Sequence, residues 1–348
     1  MSPQNKIKDI LKNLQISDED RCVYTMDAID IQNQVIEKLK KEDSTFRSAF
    51  DGLSLTGSYL DRVKLKTPDE FDLHMKLKFP FQITPERDEN GFVFLYAPGG
   101  NHSTIVSGGY ICRQDLQGWL RGIFKKVFNP TLCLQSSRTY NTYTVSYTME
   151  GYGCAHSIEA KCGNRIISFD LVPAFEFTNS QWPLANPPVS YQVRSEHPWF
   201  AIPQKKSRSS DDRTFMVCAP HWEREMMKGS YNMKNVLRLM KGLRDANCTD
   251  FPHLSSYMLK TVLLHELKSV NWQRDEGPLL VEMWGKLLLR LNAGRLDFFL
   301  ADGHNIFDRL NERELSTCRH NAKITYEKLQ QYYSYNNGSQ LYKLFEKN

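Results

Sequence analysis

Apolar side chains recur every third or fourth position from Tyr24 to Phe50. Ala28, Ile31, Val35, Leu39 and Phe46 share one stripe, with Ile36 beside it. That period predicts one long helix. Residues 1–20 predict a short charged helix or a frayed start. The period then shortens. Residues 71–81 and 91–97 predict strands on either side of a polar turn at 86–91. Residues 97–109, flanked by glycine pairs, predict a loop. Asp115–Phe128 predicts an amphipathic helix with Leu116, Trp119, Leu120, Ile123, Phe124 and Val127 inward. Residues 142–149 and 164–173 predict further strands. Prolines make 183–188 and 198–203 irregular, and 204–213 reads as a polar, basic loop. Helical periodicity follows at 221–227, 231–245, 254–267, 279–291 and 314–333. A strand-rich half before a helix-rich half predicts a mixed α+β fold of two lobes around a cleft. Residues 1–185 form the sheet lobe with its long spine helix, and 186–348 the helical lobe. No repeat or low-complexity segment interrupts the pattern.

Composition changes this picture little. At 348 residues, 41% hydrophobic and 24% charged, the chain is ordinary globular protein, which excludes a disordered or fibrous class. No apolar run approaches the ~20 residues a bilayer span needs. The N-terminus lacks the apolar core of a signal peptide, so a cytoplasmic or nuclear location is expected. Eight cysteines are scattered without a Cys-x-x-Cys pair and read as reduced, mostly buried side chains. Cys218 and His221 come nearest to a metal set and read as structural. The net charge of +5 suits a nucleic-acid or nucleotide partner without demanding one. Lys38, Lys40 and Lys41 lie off the apolar stripe of the first long helix. They fit a solvated outer face, slightly preferred on the residues alone, or a polyanion contact.

The candidate chemistry begins at Gly57-Ser58. Thirteen residues after the glycine comes Glu70-Phe71-Asp72-Leu73, opening a strand. On a strand Glu70 and Asp72 share one face, and Phe71 and Leu73 the other. Two carboxylates on one face repel unless a cation lies between them, and oxygen-ligated divalent ions are the usual apparatus for attack at phosphorus. The Gly-Ser turn would bring backbone N–H groups and a hydroxyl to phosphate oxygens. A lone Glu-x-Asp is most often surface charge. A third acid, Asp170, sits in the apolar strand around Ile167, Phe169 and Leu171, where an unpaired acid should avoid burial. Beside the first strand it would complete a three-carboxylate cluster.

With these residues in place, the chain resembles nucleotidyltransferases of the polymerase-beta type. Gly57-Ser58-Tyr59, Val63-Lys64 and Pro68-Asp69-Glu70-Phe71-Asp72 are similar, more narrowly, to the animal cyclic GMP-AMP synthase-like receptors. So are His221-Trp222-Glu223-Arg224-Glu225, Leu237-Arg238-Leu239-Met240-Lys241 and Leu254-Ser255-Ser256-Tyr257-Met258-Leu259-Lys260-Thr261. The blocks keep the family's order and spread over most of the chain. The resemblance implies that Glu70, Asp72 and Asp170 hold two Mg²⁺ or Mn²⁺ ions. It makes Ser58 a contact of the donor triphosphate and Lys241 a phosphate contact. Ser256 and Tyr257 would bind the donor nucleotide, Tyr257 by stacking on the base, with Glu223 a further nucleotide contact. Read alone, Lys241 fits an exposed helix lysine, Tyr257 a core aromatic and Ser256 a helix N-cap.

The same resemblance implies an activity. A ribose hydroxyl attacks the α-phosphorus of a donor nucleotide, pyrophosphate leaves, and a second attack closes a cyclic GMP-AMP type dinucleotide from ATP and GTP, for innate immune signalling. Asp170 would lie nearest the attacking hydroxyl. The DNA-sensing founder of the family carries a zinc-binding insertion. Here that interval is Met226 to Met233, without Cys or His, so no structural zinc is expected. This matches the receptor branch that senses double-stranded RNA. The founder's acceptor-base arginine is replaced by Met216, with Arg213 nearby but out of register. Lys38, Lys40, Lys41, Lys205, Lys206, Arg208, Lys228 and Lys234 are the candidate RNA contacts, read through phosphate and shape. The product would act on a downstream cyclic-dinucleotide receptor, and RNA could assemble several copies of the enzyme. Two alternatives share the fold: a catalytically silent interaction protein, and an enzyme releasing linear 2′-5′ oligoadenylate-like chains.

Overall fold

The first long apolar stripe becomes two helices rather than one. In the computed structural model, which describes residues 3–65, 69–148, 154–207, 209–230, 232–335 and 337–346, α1 (Pro3–Leu14) precedes α2 (Asp18–Glu42) and α3 (Ser44–Ala49). Asp43 separates the last two. Its backbone is extended (φ −135°, ψ 121°), and its carboxylate accepts the Phe46 N–H, capping α3. The predicted stripe is buried throughout, at Ala28, Ile31, Val35, Ile36, Leu39 and Phe46.

Next come β1 (Phe50–Leu55), the one-turn helix α4 (Gly57–Leu60), β2 (Glu70–Leu77), β3 (Thr84–Arg87) and β4 (Phe92–Tyr96). A hairpin of β5 (Val106–Ser107) and β6 (Tyr110–Ile111) follows, then α5 (Arg113–Val127). The run β7 (Leu132–Gln135), β8 (Thr142–Thr148), β9 (His156–Cys162) and β10 (Arg165–Phe177) leads to α6 (Tyr191–Glu196), β11 (Trp199–Ile202) and β12 (Thr214–Cys218). The remainder is helical: α7 (Pro220–Met226), α8 (Met233–Ala246), α9 (Ser256–His265), α10 (Glu276–Ala293), α11 (Glu312–Ser334) and α12 (Gly338–Lys343). No helix among the described residues is long and apolar enough to cross a membrane.

Several strands depart from expectation. The turn predicted at 86–91 contains the end of β3, which pairs with β4. The loop predicted at 97–109 contains β5 and continues to the β5–β6 turn, where Gly108 and Gly109 both take positive φ. The irregular segment at 198–203 is β11, which joins β10 to β12. Each is short, and cross-strand pairing rather than local pattern defines it.

All the strands join one sheet, in the order β5-β6-β4-β12-β11-β10-β9-β8-β7, with β2 alongside β10, β1 beside β2, and β3 beside β4. The long strand β10 is the hub. It pairs antiparallel with β9 over Arg165–Leu171, parallel with β2 over Ser168–Ala174, and antiparallel with β11 over Phe175–Phe177. Aromatic side chains pack along its apolar face. Phe169 stacks on Phe71 with ring centroids 5.8 Å apart, and Phe175 meets Phe215 edge-on at the same spacing.

The residues group into two compact units. The sheet-bearing unit comprises Ser17–Leu60 and Thr67–Trp222; the helical unit comprises Met1–Ile16, Asp61–Lys66 and Glu223–Asn348. The division expected at 185/186 thus falls inside the sheet-bearing unit, because β11 and β12 hydrogen-bond into the sheet. In the helical unit α10 packs on α11 closely enough that a Cβ on Gly277 would lie 2.4 Å from the Tyr333 ring.

A buried acid holds α2 to the sheet. Asp27 is fully buried and accepts hydrogen bonds from Thr139 Oγ1 (2.5 Å), Tyr143 OH (2.5 Å) and Arg165 Nη1 (2.9 Å). Burial opposes its charge, but hydrogen bonds from Ser136, Thr139, Tyr143 and Asn141 outweigh burial and hold the carboxyl below its ordinary range. A carboxyl lowered in this way stabilises the fold above its unfolded pKa of about 4, and that stability is lost as pH falls through the folded value. Asp27→Asn should therefore cost about 3 kcal/mol at pH 7, by analogy with removing one partner of a buried pair. In urea titrations, the gap between mutant and wild type should narrow as pH is lowered from 5 towards 3.

Candidate active site

The alternation in β2 and β10 sends their acids to one face and their apolar residues to the other. Because the two strands run parallel, Asp72 pairs in register with Asp170, Phe71 with Phe169, and Glu70 with Ser168. The Phe71–Phe169 stack fixes one side of the pair. On the other side, carboxylate oxygens of Glu70, Asp72 and Asp170 all lie within 4.8 Å of one another. Glu70 is exposed, while Asp72 and Asp170 are half-buried. Like charges at about 4 Å repel by about 1 kcal/mol in water and about 4 kcal/mol at the effective dielectric of a protein surface. Three of them on two adjacent strands are a hard-oxygen donor set of the kind that suits Mg²⁺ or Mn²⁺. Among the described residues, this is the one grouping of three or more His, Cys, Asp or Glu side chains with that geometry.

Neighbouring strands hold the acids in place. Ser157 on β9 lies opposite Asp170, and its Oγ donates to Asp170 Oδ1 at 2.5 Å. Gly57 sits against Asp72. Its φ is +61°, and a Cβ there would fall 1.8 Å from Asp72 Oδ2. Only glycine meets both demands at once. The Thr56 N–H donates to the Asp72 carbonyl at 2.8 Å, tying the start of α4 to β2. Ser58 follows, half-buried. Tyr59 pins the turn: its ring packs on Phe71 at 4.5 Å, its hydroxyl hydrogen-bonds Thr25 on α2, and the Arg21 guanidinium lies over the ring at 5.5 Å.

Cys218 and His221 each sit against another polar side chain. Cys218 Sγ lies 3.9 Å from His74 Nε2, and His221 Nε2 lies 3.3 Å from Ser54 Oγ. Burial, and secondly the nearby His221, push the His74 imidazole down to about 3, so it is neutral. Met216 lies in β12, buried, in register with Phe92 and Ile202. Arg213 is bonded to Asp211 at 2.7 Å, with its guanidinium over the Phe94 and Tyr110 rings.

The helical unit carries the other candidates. Lys241 on α8 is 4% exposed, and its Nζ donates to the Val63 carbonyl at 2.8 Å. Ser255, not Ser256, caps α9; Ser256 Oγ accepts from Arg244 at 3.1 Å. Tyr257 is half-buried. Its hydroxyl donates to Glu223 Oε1 at 2.8 Å, and its ring sits 6.3 Å from that of Phe298.

Several of the candidate RNA contacts are already paired. Lys40 bonds Glu37 at 2.8 Å, Lys206 bonds Asp88 at 2.9 Å, and Lys228 bonds Glu225 at 2.5 Å. Lys41 and Lys205 are exposed, and Lys38 is half-buried. Burial holds the Lys234 ammonium below its usual range, against the pull of Asp61. Arg208 lies outside the described residues. Sequence reasoning missed Ser157, although the alternation of His156–Cys162 marks a strand. It also missed Asp61 and Lys260, whose contact no local pattern signals.

Comparison with known proteins shows the family. Residues 59–229 match the Mab-21 protein nucleotidyltransferase domain, and residues 232–323 the Mab-21 protein HhH/H2TH-like domain. The chain belongs to the Mab-21 nucleotidyltransferase family, among its cyclic GMP-AMP synthase-like proteins. It is 58% identical to a cyclic GMP-AMP synthase-like protein of Drosophila melanogaster, over 94% of each chain. It is 35% identical to a cyclic GMP-AMP synthase-like receptor of Drosophila eugracilis over 93% of each, and 26% identical to one of Lucilia cuprina over 94% of each.

Gly57 offers a direct test of the geometry. Gly57→Ala places a Cβ in left-handed backbone and into the Asp72 carboxylate. The backbone term alone should cost about 1–2 kcal/mol, and the Asp72 side chain must also rotate away. A melting temperature lowered by several degrees, with Asp72 displaced in a crystal structure of the variant, is the expected outcome.

Proposed function

We propose that this protein makes a cyclic dinucleotide of the cyclic GMP-AMP type from ATP and GTP when double-stranded RNA engages it. The convergence of Glu70, Asp72 and Asp170 carries the reading. The relatives' names, synthase-like protein and synthase-like receptor, fit a product of this class and a ligand-triggered enzyme, and the choice of double-stranded RNA rests on the resemblance to the zinc-free receptor branch. Glu70, Asp72 and Asp170 would hold two Mg²⁺ or Mn²⁺ ions. Such ions lower the pKa of an acceptor hydroxyl and neutralise the charge of a donor triphosphate.

The chain's own groups do the rest. Asp170, held at one oxygen by Ser157, keeps its other oxygen for the reacting centre. Ser58 contacts the donor phosphates from a turn that Gly57 lets approach Asp72. Tyr257 stacks on the donor base, and Ser256, Glu223 and Lys241 complete the nucleotide contacts. The exposed Lys41 and Lys205 lead the candidate contacts to RNA phosphates, with the other basic residues named above around them. The protein acts in the cytoplasm, and its product signals to a separate cyclic-dinucleotide receptor.

Purified protein given ATP, GTP, Mn²⁺ and RNA duplexes should release a phosphatase-resistant dinucleotide, identified by mass. A phosphatase-sensitive linear product would replace this reading with the oligoadenylate-like one, and no product from folded protein would sink it. Glu70→Ala with Asp72→Ala should abolish product while leaving RNA affinity within about twofold. Ser157→Ala frees the Asp170 carboxylate, and loss of an outer hydrogen bond to a ligand typically weakens metal binding about tenfold or more. Mn²⁺ titration followed by electron paramagnetic resonance, without nucleotide, measures that directly.

A further inference from the structure

Lys260 on α9 is 7% exposed and lies between two carboxylates that are themselves 2% and 4% exposed, Asp61 and Glu223. Its Nζ is 2.7 Å from Asp61 Oδ2 and 2.8 Å from Glu223 Oε2. The other oxygen of Glu223 accepts the Tyr257 hydroxyl at 2.8 Å. We propose that Lys260 is a positioning residue: through Glu223 it holds the Tyr257 ring in the plane that stacks on the donor base. This rests on the nucleotide-binding role given to Tyr257 above and adds the residue that sets its geometry.

The physical argument runs through charge. A carboxylate buried without a counter-charge favours its protonated form. Without Lys260, Glu223 Oε2 would lose that partner, and the carboxylate would be free to turn away from the phenol. Lys260 supplies the missing positive charge. Burial opposes the ammonium, but the attraction of Asp61 and Glu223, with hydrogen bonds to both, outweighs burial and holds Lys260 above its ordinary range. The chain thus keeps two acids on one cation in its interior, and Asp61 Oδ1 is buried with no hydrogen-bond partner. That arrangement costs stability relative to an apolar core. What it supplies is a fixed acceptor for one phenol. Tyr257 sits three residues before Lys260 on the same helix, so the two side chains share a face and converge on Glu223 from α7. With its hydroxyl anchored and Phe298 beside the ring, the tyrosine loses little rotational freedom when a base stacks on it.

A double-mutant cycle tests this. Affinity for a non-hydrolysable ATP analogue with Mn²⁺ is measured by calorimetry for wild type, Lys260→Met, Tyr257→Phe and the pair. Each single change should weaken binding about tenfold, and the pair no more than the weaker single, because both act through one hydrogen bond. For Lys260→Met, turnover at saturating nucleotide should stay within about threefold of wild type, so that KM moves and kcat does not. Losses that multiply towards a hundredfold in the pair, or a Lys260→Met variant that binds like wild type, overturn the inference alone. If Lys260→Met does not fold, Asp61→Asn with Lys260→Met removes one charge of each sign and takes its place in the cycle, with the same expectations. Wild-type protein that binds no nucleotide overturns the proposed function, and this inference with it.

Discussion

The parallel pairing of β2 with β10 is the constraint on which the site depends. One register sets both faces. Phe71 stacks on Phe169 behind the sheet, and Asp72 stands beside Asp170 in front of it. A slip of one residue would turn the acids into the core and the phenylalanines into water. The apolar face therefore holds the acidic face together against its own repulsion. The order of the sheet makes this possible, since β10 has β9, β2 and β11 as partners along its length and is braced on every side. Ser157 reaches Asp170 from β9, and Gly57 leaves room for Asp72 from the turn beyond β1.

Buried acids elsewhere follow a different rule. Asp27 is satisfied by hydroxyls and an arginine, and its charge serves attachment of α2 to the sheet. Asp61 and Glu223 share one lysine, with an oxygen left over. The first arrangement completes its hydrogen bonds; the second does not. The unpartnered oxygen belongs to Asp61, whereas both Glu223 oxygens are engaged, one by Lys260 and the other by the Tyr257 hydroxyl.

The acids were legible in the sequence because alternation is local. Residues two apart on a strand share a face whatever the fold around them, so Glu70 with Asp72 on one face, and Asp170 on the face opposite Ile167, Phe169 and Leu171, could be assigned from spacing alone. The helical periods of α2, α5 and α8 to α11 were legible for the same reason. Short strands were less so. β3, β5, β6 and β11 have too few residues to show a period, and proline near β11 disguised it. The domain boundary shifted with them, because β11 and β12 belong to the sheet by hydrogen bonding that pattern does not record.

Sequence by itself determined which residues are amphipathic partners within each element, the three acids, the Gly-Ser turn and the family resemblance. Those depend on periods of two and 3.6 residues and on motifs read along the chain. Tertiary structure alone decided that β10 lies parallel to β2 with Asp170 at the level of Asp72, and that Ser157 holds it. It alone decided that Lys260 meets Asp61 from 199 positions away. It also showed Lys241 turned to the Val63 carbonyl in the interior, where a helix lysine read alone would be solvated. Such contacts join segments distant in sequence, and no local period encodes them. Their energies come from burial and charge pairing that exist only once the chain has closed on itself.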